Sequence, residues 1–110
     1  MNAANIEVLV LTVPSVTEQI AKNQLVGFDG APCGADEPVQ GVACFDANVG
    51  EDVAVIALGV VELVAAAPIA TGDKVYSDID GNVTSTGANH PFGHALTGGG
   101  AGDVVAILIR

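Results

Sequence analysis

With 110 residues the chain has room for one domain, whose folding would bury roughly 60 to 70% of the surface of the unfolded chain. Half of its residues are hydrophobic, yet it holds only three Phe, one Tyr and no Trp, so the core must be filled by small branched side chains. Thirteen acidic against three basic residues give a formal charge of -10, which repels phosphate backbones and anionic lipid and argues against nucleic acid or membrane as a direct partner, while also serving solubility.

The opening MNAANIEVLVLTV has no basic region ahead of its apolar run, carries Glu7 and meets Pro14, so a signal peptide is not expected. The run Ile6 to Val13 reads as a strand with two apolar faces. Ile6, Val8 and Val10 lie on one, Leu9, Leu11 and Val13 on the other, and Glu7 and Thr12 are the polar breaks. A strand covered on one side by its own barrel alternates with polar residues, so this one is either central in the fold or covered on its second face by another molecule. The second reading makes residues 1–19 an arm on a domain of residues 20–110, with Asn2, Ala3, Asn5, Ile6, Val8 and Val10 as candidate contacts to a partner protein or a neighbouring subunit. The first makes it an internal strand of the monomer.

Ser15 to Lys22 is the helix candidate. Ser15 and Glu18 stand at capping-box spacing and Ile20 and Ala21 follow, enough for one or two turns. Apolar runs then recur at Leu25 to Phe28, Val39 to Phe45, Val53 to Leu58, Val60 to Val64, Lys74 to Ser77, Asn82 to Ser85, Pro91 to Leu96 and Asp103 to Ile109, separated by Gly, Pro, Asp and Asn. This punctuation predicts an all-β fold, a single compact barrel or sandwich of short antiparallel strands. Val53 to Ala70 is the longest apolar stretch, but Gly59, Glu62 and Pro68 make it two short strands rather than a membrane helix.

Asp80-Gly81 in DIDGN predicts a two-residue hairpin turn of type I′, with positive φ at both residues. The same Asp78, Asp80 and Asn82 do not make a calcium loop, because Val83 and Asn89 stand where an EF-hand needs Gly and Glu. Cys33 and Cys44 have no CxxC spacing and no neighbouring His, and read as two reduced thiols of a cytosolic product or as a disulfide. His90 and His94 have the spacing of a helical metal pair. Pro91 and Gly93 oppose that helix, and an extended chain would hold the rings roughly 13 Å apart. Gly98 to Asp103 shares only composition with a phosphate loop and reads as a turn. No nucleophile, acid–base pair, metal set or cofactor motif emerges, so no enzyme activity and no cofactor are expected.

An internal repeat at an offset of 52 lays GVACFDANVGEDVAVIA over GHALTGGGAGDVVAILI, matching Gly41/Gly93, Ala43/Ala95, Gly50/Gly102, Val53/Val105 and Ala54/Ala106. LVGFDG from Leu25 and VYSDIDG from Val75 each end a strand in Asp-Gly, at a drifting offset. A duplicated hairpin closing on itself would give a pseudo-two-fold barrel, although Gly/Ala/Val-rich sequence makes such matches easy.

The order of motifs from Ile20 onward carries a resemblance. IAKNQLVGFDG is followed by the Gly-Val strand Gly59 to Val64, the Ala-rich Ala65 to Ala70, the Gly-Asp-x-Val turn Gly72 to Val75, the Asp80-Gly81 hairpin, Gly93 to Ala95, and Gly102-Asp103 before the last Val-rich strand. This order resembles the small phage capsid decoration, or cement, proteins. The resemblance implies a compact β fold bound to the major capsid protein on the outer face of a phage head, where it stiffens the shell, often as a trimer. It further implies a virion protein made in the host cytoplasm. Two rival classes share features with it. A lipoyl or biotinyl carrier also has Gly-Asp-x-Val turns, but its lysine stands at a hairpin tip, whereas Lys74 starts a strand. A carbohydrate-binding or adhesin module would use aromatic platforms, and Tyr76 is the single tyrosine.

Overall fold

The computed structural model describes residues 6–110. Eight strands follow in chain order: β1 Ile6–Val13, β2 Leu25–Gly27, β3 Val39–Ala43, β4 Val53–Val64, β5 Lys74–Ser77, β6 Val83–Thr84, β7 Gly93–Ala95 and β8 Val104–Ile109. They pair in the order β2-β3-β4-β8-β7-β5-β6, with β1 added to β4, as a nearly closed antiparallel barrel-like sheet. The all-β expectation holds.

Three local expectations do not. Ser15 to Lys22 forms no helix: Ser15 takes φ 48, and Ile20 exchanges 2.9 Å backbone hydrogen bonds with Ala47 in an isolated bridge. A helix would bring Val16 and Ile20 to one face, but an extended path buries both completely, and that burial outweighs a capping signal worth about 1 kcal/mol. Val53 to Val64 is one strand, not two, because the chain passes Gly59 at φ 140 without leaving the ladder. The β5–β6 hairpin exists, but of Asp80 and Gly81 only Gly81 has positive φ, at 76. Gly81 N–H donates to Asp78 O (3.2 Å) and Asp78 N–H to Asn82 O (2.8 Å), which makes a three-residue loop closed by a left-handed glycine.

The repeat extends through the whole fold. Val16 exchanges backbone hydrogen bonds with Gly50 and Glu51 (both 2.9 Å), and Ala65 does the same with Gly102 (2.8 Å) and Asp103 (2.9 Å). Ile20 bridges Ala47 as Ile69 bridges Gly99. By this correspondence β1 is the equivalent of the second half of β4, β2 of β5, β3 of β7, and the first half of β4 of β8. One buried cluster holds Val13, Val16, Ile20, Val26, Ala43, Ala47, Val53 and Val55. Their counterparts Leu63, Ala65, Ile69, Val75, Ala95, Val105 and Ile107 lie in the second cluster, and the eighth is Gly99. The identity Gly41/Gly93 has a steric cause. A Cβ on Gly41 would meet Ile56 O at 2.7 Å, and one on Gly93 would meet Leu108 O at 2.2 Å.

One turn design recurs four times. In Ala21–Gln24, Asn48–Glu51, Ala70–Asp73 and Gly100–Asp103 the third residue has positive φ, and the fourth residue's N–H bonds the first carbonyl at 3.0–3.1 Å. The fourth side chain, Gln24, Glu51, Asp73 or Asp103, accepts the first N–H at 2.7–3.0 Å. Three of the acids behind the net charge are therefore turn clamps.

Candidate functional site

β1 lies on the outer edge of the sheet. Among the described residues it pairs only with β4, from Ile6↔Val60 to Val13↔Val53, with irregularities between Glu7 and Leu9 and between Leu9 and Val10. β4 is occupied on its other edge by β3 at Val55 and Ile56 and by β8 at Gly59 to Val64. Ile6, Val8, Leu9, Val10 and Leu11 are 38 to 66% exposed, and Val13 alone is buried. The strand is thus not central, and among the described residues neither of its faces is buried between Ile6 and Thr12. Of the sequence-derived contact residues, Ile6, Val8 and Val10 stand together on this edge, while Asn2, Ala3 and Asn5 lie outside the described residues.

The seat of β1 depends on Gly59. A Cβ there would fall 2.0 Å from the Ile6 carbonyl oxygen and 3.2 Å from Val8 N. No real contact is that short, so β1 can cross β4 here only over a glycine.

Lys74 and His94 lie on paired strands, and His90 lies beside Asp36. Lys74 opens β5 opposite His94 and is not a hairpin tip. His94 pairs with Lys74 and Leu108 in β7, while the His90 ring lies 2.8 Å from the Asp36 carbonyl oxygen. Among the described residues no group of three or more His, Cys, Asp or Glu could hold a metal ion.

Asp36, which the sequence reading passed over, anchors that region. Its carboxylate accepts the backbone N–H groups of Ala88, Asn89 and His90 at 2.9–3.2 Å. Those bonds, from His90 first and then Ala88, hold its pKa below the ordinary 3.8. A lowered acid contributes stability that is full above its unfolded value and is lost as pH falls through its folded value. Amides 88–90 are therefore expected to stay protected from hydrogen exchange between pH 7 and 5 and to open only on acidification below about 4. Asp36→Asn, which tolerates the φ of 50, is expected to leave them open at neutral pH as well. Equal protection in both proteins would remove the clamp.

Both cysteines are free, Cys33 buried and Cys44 half-buried, and burial raises the pKa of each. The Cys33 thiol lies 3.3 Å from Pro38 O and 3.4 Å from Glu37 O. Thiol titration is expected to find two groups per unfolded chain and, in the native protein, Cys44 reacting ahead of Cys33. A chain yielding none, with stability lost on reduction, would contradict this.

Compared with protein-family models, residues 5–110 match the model of phage cement proteins. The chain belongs to the phage cement protein family. The match takes in β1, which lies ahead of the motifs that carry the resemblance in sequence. No curated protein matches the chain. Among solved structures this cement protein is similar to the N base of head fiber gp8.5 in bacteriophage phi29. The TM-score is 0.74 over 93% of this chain and 95% of that one, at 19% sequence identity, a likeness of fold.

Proposed function

We propose that this cement protein binds the outer surface of a phage head, where it touches the major capsid protein and stabilises the lattice without catalysing a reaction. The observation that carries the reading is the family match over nearly the whole chain, and the exposed apolar edge strand supplies a means of attachment. Residues 1–19 carry the contact, with Asn2, Ala3, Asn5, Ile6, Val8 and Val10 facing the shell, and Val13 and Val16 anchor this segment in the core of the body formed with residues 20–110. An extended strand offers edge hydrogen bonds for affinity and alternating side chains for register. Copies are made in the host cytoplasm and sit on the shell as trimers, as the family resemblance implies. A carbohydrate-binding role finds little support in a surface with few aromatic side chains.

Co-sedimentation with empty heads that lack their decoration protein tests the reading, with a glycan panel in parallel. Saturable binding to heads and none to glycans is expected. Binding to glycans without heads would replace this function with an adhesin.

A further inference from the structure

Two turns repeat one another across the duplicated fold. Gly27–Gly30 closes with a 3.3 Å bond from Gly30 N–H to Gly27 O, and Asp78–Gly81 with a 3.2 Å bond from Gly81 N–H to Asp78 O. Each ends in a left-handed glycine, Gly30 at φ 79 and Gly81 at φ 76. Each carries a large apolar side chain at its second position and an exposed aspartate at its third: Phe28-Asp29 and Ile79-Asp80. Phe28 at 72% and Ile79 at 78% are the most exposed large hydrophobic residues described.

Turn tips usually go to Gly, Asn, Asp, Ser or Pro, for reasons of backbone geometry and local hydrogen bonding. A bulky apolar residue at one tip is unremarkable, but its recurrence at the matching tip of the second half, with the same acid after it, calls for a common use. Both tips are braced. Thr17 N–H donates to Gly30 O (2.9 Å) and Leu25 N–H to Gly81 O (2.8 Å). Asp78 Oδ1 accepts from Asp80 N–H and Asn82 N–H (2.9 and 2.8 Å), and Ala31 N–H donates to Asp29 Oδ1 (3.2 Å). Because Leu25, which holds Gly81, begins β2 and Gly27, which opens the other turn, ends it, the two turns sit at opposite ends of one strand, about 7 Å of extended chain apart.

We infer that Phe28 and Ile79 are paired anchors that seat in apolar sockets on two adjoining copies of the capsid protein, with Asp29 and Asp80 facing basic groups at the socket rims. This rests on the capsid reading and adds to it the residues and the kind of surface they fit. A lattice repeats one socket, and a duplicated fold repeats one plug. The formal charge of -10 selects a basic rim, and a rigidly held aromatic or aliphatic side chain entering a pocket is what concentrates binding energy in an interface. Joining two such contacts in one body makes the second intramolecular, so holding both adjoining subunits is favoured over holding either alone.

The test uses the full chain, empty heads lacking decoration protein, and the variants Phe28→Ser, Ile79→Ser, the double variant and Asp80→Lys. All four should melt as the parent does, since the side chains are exposed. Each single Ser variant is expected to lose about tenfold or more in affinity for heads, the double variant to fall to background, and Asp80→Lys to weaken binding without touching the apolar contact. If either Ser variant, or Asp80→Lys, coats heads at parental affinity, the paired-anchor inference is wrong while the capsid reading stands. If the parent itself fails to bind heads, both fall together.

Discussion

Gly59→Ala is expected to detach β1 from the sheet. Only one carbon is added, but it would lie 2.0 Å from the Ile6 carbonyl oxygen, a backbone atom that cannot rotate away, and the residue sits at φ 140. The backbone conformation alone costs an L side chain about 1–3 kcal/mol. Relief of the clash then requires β1 to move off β4 between Ile6 and Leu9, where its pairing is already irregular. A loss of about 2–4 kcal/mol would lower the melting temperature by about 10 °C or more for a chain of this size. The diagnostic readout is hydrogen exchange. Amides of residues 6–13 should lose protection, while those of β8, which pairs with the second half of β4 on its other edge, keep most of theirs. Parental melting with a protected β1 would mean that the strand does not cross β4 at this glycine.

That glycine shows why part of the fold could be read from sequence and part could not. The alternation of apolar runs with Gly, Pro, Asp and Asn located all eight strands, since burial of Val and Ile on a pleated surface and the need for turn residues between them are local properties. Gly59 looked like such a punctuation mark. Its actual role is long-range, a gap through which a strand fifty residues away in sequence passes, and no local pattern encodes it. Ser15 to Lys22 failed for the same reason: the capping spacing is local, but Val16 and Ile20 are held by partners at Glu51 and Ala47.

The duplication was half legible. Five identities marked one hairpin, yet the match of β1 with the second half of β4 was hidden because Leu63 stands for Val13 and Ala65 for Val16, substitutions that keep burial and not identity. The turn signature of a Gly or Asn followed by Asp, Glu or Gln was present at all four sites and could have been found by its spacing. The candidate site was legible as an anomaly in β1, a strand too apolar for one face. Which face was uncovered was not legible, because in an edge strand with bulges neither face is fully inside.

The double variant Ile6→Ser/Val8→Ser is expected to keep the fold and lose the capsid. Both side chains are more than half exposed, 53% and 66%, and neither belongs to a buried cluster, so the monomer gives up little when they are cut. If the same side chains become buried against the shell, each forfeits about half of the 1.5–3 kcal/mol that a fully buried aliphatic side chain contributes. Together that is about 1.5–3 kcal/mol, or roughly 10- to 150-fold in affinity. Deleting residues 1–13 would give a different result. It removes Val13, which is 4% exposed and packs with Val53 and Val55, and leaves the first half of β4 without its outer partner. The deletion should therefore lower stability as well as binding, and its failure to coat heads would not by itself locate the contact. The double Ser variant does, because a melting curve like the parent's separates loss of contact from loss of fold. Heads coated at parental affinity by that variant would take β1 out of the attachment surface.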